Sequence, residues 1–270
     1  MIIYEKVFPK VNGDGLFPKE DFYYIGNNKA IIADGITRDP IGILNLEEIN
    51  GEISKFYPRP SGAAIAANTV VETLKNTKTL TLLEMYRKAN KKVKEINEKY
   101  NGIYDYLEND YYGTVSSSVW IKENFIEYAY IGDCGIILMD KNRNIKFEST
   151  NDVKEAKKHF DTKGIPWSNK EARKWIRKNY RNNKCEKYSY GALTGEESAL
   201  LYLKAGILKK EKGDIIILYS DGFYPFLKEK FFEVILTKDK SKIDLYIENK
   251  IKQNKKIYGE EKTILILEID

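Results

Sequence analysis

Two stretches of the chain are apolar for the length of a strand and then stop at an acid and a glycine: Lys29-Ala-Ile-Ile-Ala-Asp34-Gly35 and Asp214-Ile-Ile-Ile-Leu-Tyr-Ser220-Asp221-Gly222. Unbroken runs of this length suit strands buried on both faces, and a glycine at the exit suits close approach of backbone to something else. A third run, Thr263-Ile-Leu-Ile-Leu-Glu-Ile269, is of the same kind and follows an acidic pair, Glu260-Glu261. Shorter runs at Val115 to Ile121, Ile126 to Ile131, Ile136 to Met139 and Ile145 to Phe147 are separated by turn residues at Lys122-Glu-Asn124, Gly132-Asp133 and Lys141-Asn-Arg143. They predict an antiparallel meander. Upstream, Phe22 to Ile25 and the turn Gly26-Asn-Asn28 make a hairpin with the Asp34 strand, which places Asp21 across from Asp34 at one end of the sheet.

Helical spacing takes over elsewhere. Ser61 caps a segment whose Ala64, Ala67, Val71 and Leu74 share a face, and Thr81 with Glu84 forms a capping box ahead of Leu82, Tyr86, Ala89, Val93, Ile96 and Tyr100. Ser168 and Glu171 repeat the capping pattern; behind them Trp175, Ile176 and Tyr180 point one way while Arg173, Arg177 and Arg181 line another side. Further helices are expected between Phe223 and Leu236 and around Ile243 to Ile251. Residues 9 to 20 and the stretch from Gly35 to Pro60 read as loop.

No linker-like stretch divides the 270 residues, so a single domain over 1–270 is expected. The first residues lack a signal peptide's pattern and no run is long enough to span a membrane, which leads to the expectation of a cytoplasmic protein. Two cysteines, Cys134 and Cys185, make no disulfide framework and no zinc spacing. The net charge of +5 is too mild to imply a nucleic-acid partner, but it is unevenly placed: residues 154 to 187 hold twelve Lys and Arg against four Asp and Glu. That segment presents either a solvated face or a surface for a phosphorylated or acidic partner. His159, the only histidine, lies among its lysines and is not expected to be catalytic.

The recurring chemistry is the carboxylate at a strand end. Asp-Gly is ordinary turn chemistry, yet two core strands that both end in it bring hard oxygen ligands together in a way that suits Mg²⁺ or Mn²⁺. The ordered series Glu20-Asp21, Ala33-Asp34-Gly35, Gly113-Thr114, Gly132-Asp133, Gly213-Asp214, Ser220-Asp221-Gly222 and Glu260-Glu261-Lys262-Thr263, with two helices between the second and third members, resembles the metal-dependent serine/threonine protein phosphatases of type 2C. The resemblance runs from about residue 11 to 269.

It implies an α+β fold, a four-layer α-β-β-α sandwich of two antiparallel sheets flanked by helix pairs. It also implies two divalent cations, Mn²⁺ or Mg²⁺, with a weaker third. Asp34 would bridge the pair, the Gly35 carbonyl would bind one cation, and Asp221 and Glu260 the other. Glu20 and Asp21 would act through bound waters, and Asp133 would help hold the third. Asp21, Asp34 and Asp221 are thus the expected catalytic residues. Residues 151–190 would form a basic flap-like insertion. The function implied is hydrolysis of phosphoserine and phosphothreonine in proteins by a metal-bound hydroxide, in signalling, by a monomer with phosphoprotein substrates and neither membrane nor nucleic-acid partners.

The sequence departs from the family at three places. Glu260 stands where Asp is usual, Leu16 occupies the place of a phosphate-gripping arginine, and Ile36-Thr37-Arg38 replaces glycines and a histidine. Lys19 or Arg38 would then be the phosphate-binding residue, and no general acid is assigned. The alternative is a weak or inactive member of the fold that recognises a protein partner through its basic flap. A phosphoaspartate mechanism on Asp34 is disfavoured, because Ile36 stands where its second Asp belongs.

Overall fold

In the computed structural model, which describes residues 1–11, 19–26, 28–36, 60–78, 81–101, 112–164, 170–184 and 187–270, the continuous apolar runs become interior strands. One sheet has the order β1 (Ile2–Phe8), β10 (Lys262–Glu268), β9 (Ile215–Tyr219), β6 (Gly135–Met139) and β7 (Ile145–Glu148). The other has β2 (Asp21–Ile25), β3 (Lys29–Gly35), β4 (Thr114–Ile121), β5 (Phe125–Ile131) and β8 (Lys204–Lys209). Every pairing is antiparallel. Strand β1 has no counterpart among the elements expected from the pattern.

Period-2 geometry explains why these runs have no polar face. Ile216 and Leu218 on β9, Leu265 and Leu267 on β10, and Ala30 and Ile32 on β3 meet between the two sheets. Their neighbours turn outward under helices. Ile31 and Ala33 pack beneath α1 (Gly62–Asn76) and α2 (Leu82–Asn101). Ile217, Ile264 and Ile266 pack beneath α5 (Glu229–Leu236) and α6 (Lys240–Gln253), which a short α7 (Lys255–Tyr258) follows. The result is the expected four-layer sandwich, with three apolar layers in place of one core.

Two of the three predicted caps form, and the third, at Ser168, lies outside the described residues. Ser61 Oγ accepts the Ala64 N–H at 3.0 Å, and Thr81 exchanges bonds with Glu84. The predicted meander does not. β4 and β5 form a hairpin in one sheet, β6 and β7 a hairpin in the other, and the chain changes sheets at Gly132-Asp133. The switch is made at a position that only glycine fits: Gly132 adopts φ +79°, and a Cβ there would lie 2.2 Å from Val115 Cγ1.

Between β7 and β8 lie α3 (Asp152–Thr162) and α4 (Lys170–Asn179), which enclose a small cluster of their own, Ala156, Phe160, Ile176, Tyr180 and Tyr190. Two expectations for α4 are corrected here. Trp175 is exposed, with only Ile176 and Tyr180 directed inward. Arg181 is buried, because the helix ends at Asn179 and Arg181 enters a bridge with Tyr190. Ser168 lies outside the described residues, as does Cys185; Cys134 is buried with a free thiol. No described helix is long and apolar enough to cross a membrane.

Candidate metal centre

Four aspartates from four chain segments meet where the sheets end. Asp21 opens β2 and lies opposite Asp34 near the end of β3, as the short hairpin dictates. Asp133 sits in the sheet-switching turn, and Asp221 begins a 3-10 turn, Asp221–Phe226, directly after β9. Gly35 lets the end of β3 pass against the first turn of α1, since a Cβ would lie 2.7 Å from the Ala63 carbonyl. The Gly35 N–H donates to the Glu20 carbonyl at 3.1 Å, and Thr114 Oγ1 donates to the Asp34 carbonyl at 2.6 Å.

Asp21 ties the two sheets together. Its Oδ2 accepts from Ser220 Oγ at 2.7 Å and from Thr263 Oγ1 at 2.6 Å, and Ser220 Oγ in turn accepts the Thr263 N–H at 2.9 Å. Glu261 supports the same corner by accepting the N–H groups of Glu20 and Asp21 at 3.1 and 3.2 Å. These carboxylate–backbone bonds and hydroxyl contacts fix the start of β2 against β9 and β10.

Burial and neighbouring carboxyl groups raise the pKa of all four aspartates. Burial, then the charges of Asp21, Asp221 and Asp133, pushes Asp34 well above the usual carboxylate range. Burial and Glu261 push Asp21 up to about 7, against the lowering effect of its two hydroxyl donors. Asp133 is also pushed up to about 7, by burial and by Asp221. Solvent reaches Asp221, yet it stands amid the protein that walls the acidic corner. Desolvation there raises its pKa, while a hydrogen bond with the Asp34 side chain opposes the rise.

Of the other expected ligands, Glu20 is turned to the N-terminus of α1, where it accepts from Ser61 Oγ. Glu260 is exposed and paired with Lys10 at 2.8 Å, although its charge still reaches Asp221. Among the described residues, no three Asp, Glu, His or Cys side chains are drawn together as they stand into a set able to hold a metal ion. The donor chemistry nevertheless fits a hard divalent cation: all-oxygen, anionic, and with no ammonium bonded to Asp34, Asp133 or Asp221 among the described residues. Of the two phosphate-binding expectations, Lys19 is exposed 5.6 Å from the Phe22 ring centroid, and Arg38 lies outside the described residues.

Sequence reasoning missed the supporting residues. Glu261, Ser220 and Thr263 were inside the quoted motifs, so the signal was present without a role. Lys262 is fully buried, donates to the Glu260 carbonyl and lies 5.8 Å from the ring centroids of Phe8 and Phe226; burial lowers its pKa to about 8.

An antiparallel double sandwich with an acidic cluster at the sheet ends defines a class, and comparison names it. The model of the protein phosphatase 2C family matches residues 60–242, and the chain belongs to that family. No curated protein sequence matches it. Among solved structures, the serine/threonine phosphatase PstP/Ppp of Mycobacterium tuberculosis superposes with a TM-score of 0.62 at 15% identity, over 99% of this chain and 97% of that one. The catalytic domain of PstP, in complex with 2 manganese ions, gives 0.61 at 16% identity, over the same shares of each chain. RsbX in complex with magnesium gives 0.51 at 13% identity, over 98% of each chain. At such identities the likeness establishes the fold.

Proposed function

We propose that the protein hydrolyses phosphoserine and phosphothreonine monoesters in proteins, in a reaction that requires Mn²⁺ or Mg²⁺. The observation that carries this reading is the convergence of Asp21, Asp34, Asp133 and Asp221 with raised pKa values and, among the described residues, no bonded ammonium. A fold that needed only stability would neutralise such a cluster or fill the corner with apolar side chains. Family membership and the metal-bound relatives lend support.

In this reading Asp34, with the Gly35 carbonyl, and Asp221 hold the cations, and Asp133 serves a further, weaker position. Glu260 contributes only by exchanging Lys10 for a cation, and Glu20 contributes through water. Divalent cations supply an acidified water and neutralise the phosphoryl oxygens. The chain's own part is to hold Asp21 between Ser220 and Thr263, so that its carboxylate keeps a fixed orientation beside Asp34. The rest of the reading is one domain over 1–270 with 151–190 as a basic flap-like insertion, acting on phosphoproteins in cytoplasmic signalling as a monomer. The separate aromatic cluster under α3 and α4 supports the flap.

The test is turnover of p-nitrophenyl phosphate and a phosphoserine peptide on addition of Mn²⁺ or Mg²⁺, with arrest by EDTA. Activity that persists in the chelator would overturn the metal-dependent reading.

A further inference from the structure

The acidic corner has to receive a phosphate dianion, and its own charge opposes that. The aspartates offset much of the charge of the cations they would hold, which weakens the net attraction of the loaded site for a further anion. A fixed cation at the mouth would restore it; Lys19 is exposed beside the Phe22 ring, and Arg38 lies outside the described residues.

Helix α3 carries one. Its first turn is pinned twice: Asp152 Oδ1 accepts from Lys204 Nζ of β8 at 2.7 Å, and Lys154 donates to the Tyr224 hydroxyl while lying 4.5 Å from that ring's centroid. Tyr224 belongs to the 3-10 turn that begins with Asp221, so one face of α3 is fastened against the very turn that presents Asp221. Ala156 and Phe160 point the other way, into the cluster shared with α4. Lys157 stands three residues after Lys154, on the fastened face. It is exposed and, among the described residues, has no hydrogen bond or ion pair. Its charge reaches both Asp133 and Asp221.

We infer that Lys157 is the phosphate-recognition cation of this site, its ammonium taking a phosphoryl oxygen of the substrate from above while the aspartates hold the cations below. The inference rests on the reading of the corner as a phosphatase centre. A lysine there is a point charge on a flexible stem, so it recognises the charge of the phosphoryl group without imposing a bidentate geometry. Arginine should therefore replace it. The flap then contributes one specific contact, in addition to the general positive field of its other basic residues.

The experiment compares wild type with Lys157→Ala, Lys157→Arg and, as a charge-matched control on α4, the exposed Lys178→Ala, all loaded with Mn²⁺. The readouts are KM and kcat for a phosphoserine peptide, the inhibition constant of inorganic phosphate, and Mn²⁺ affinity. Lys157→Ala is expected to raise KM and the phosphate inhibition constant by about tenfold, the loss of one charge-assisted hydrogen bond in a partly solvated site. Its kcat should change far less, and Lys157→Arg and Lys178→Ala should stay near wild type. Unchanged KM and inhibition constant in Lys157→Ala would overturn the inference, as would equal losses in Lys178→Ala. Weaker Mn²⁺ binding in Lys157→Ala with an unaltered inhibition constant would also overturn it, by assigning the residue to the metal site. If the wild type hydrolyses neither substrate, calorimetric titration of the Mn²⁺-loaded protein with inorganic phosphate decides separately. Binding lost in Lys157→Ala upholds the role of Lys157 while refuting the hydrolytic reading, and no binding by wild type refutes both.

Discussion

Strand β3 begins with a buried cation and ends with an anion, and the protein treats the two ends oppositely. Lys29 Nζ donates to the carbonyls of Leu74 and Thr77 at 2.9 and 2.8 Å, where α1 ends, and contacts Met85 Sδ at 3.8 Å. It also lies 4.4 Å from the Trp120 ring centroid. All three of its protons have somewhere to go, and the orphan carbonyls of the helix end are satisfied in the same stroke. Asp34, five residues further along the strand, has among the described residues only another carboxyl group, that of Asp221, as its side-chain partner, and four acidic neighbours raise its pKa. One end is closed chemistry that holds a helix on a sheet. The other is charge left for something outside the polypeptide to neutralise.

Substitutions at the two ends should therefore separate. The largest effect is expected at the open end: Asp34→Asn should lower Mn²⁺-dependent turnover by about three orders of magnitude, as when a group stabilising transition-state charge is removed. The chelated variant, measured by thermal unfolding at pH 8, should be at least as stable as wild type, since one repelling charge is gone. Lys29→Met should do the reverse. It leaves two buried carbonyls without donors and should cost about 3 kcal/mol of stability in urea unfolding. Turnover per folded molecule should stay at the wild-type value. A Lys29→Met protein that is stable but inactive would remove the distinction between the ends.

The contrast was only half legible in the sequence. Asp34 announced itself because an apolar run buried on both faces ended in a carboxylate, and its partner Asp21 followed from a hairpin too short to slip register. Lys29 gave no such sign: a lysine at the start of a strand reads as solvated, and only the docking of α1 and α2 supplies its acceptors. Lys262 was hidden for the same reason, flanked by Glu260 and Glu261 yet covered by β1 and β9 on either side. The sheet switch at Gly132 was hidden too, because a turn within one sheet and a turn between two sheets use the same residues. Lys157 could not be singled out among the lysines of α3 until the helix was fastened to Tyr224.

A smaller effect follows from pH. In the chelated protein Asp21 and Asp133 hold their protons up to about pH 7, whereas in the unfolded chain they ionise near the usual value of about 3.9. The folded state therefore binds more protons across that window. The stability these groups contribute is fully present below about pH 4 and is lost as pH rises through about 7. Asp133→Asn removes one such group. In EDTA it should match wild type near pH 4 and exceed it in unfolding midpoint at pH 8. Mn²⁺ binds the deprotonated carboxylates and should erase that advantage. An Asp133→Asn protein less stable than wild type at pH 8 in EDTA would show that Asp133 belongs with the closed chemistry of Lys29.

The smallest effect should come from Thr263→Val, which tests how far the open end is itself supported. Thr263 Oγ1 is one of two hydroxyls that donate to Asp21 Oδ2, and both favour the ionised carboxylate. Removing one should raise the Asp21 pKa further and weaken Mn²⁺ binding at pH 7 by about tenfold, the usual scale for a partner that orients a ligand. Raising the pH should restore part of the loss, because hydroxide does what the missing hydroxyl did: it keeps Asp21 charged. Ser220→Ala is the less informative variant. Ser220 Oγ also accepts the buried Thr263 N–H, so its loss leaves that group unpaired and adds about 1–3 kcal/mol of instability unrelated to Asp21. A Thr263→Val protein whose Mn²⁺ affinity is unchanged at every pH would mean that Asp21 acts only as a strut between the sheets.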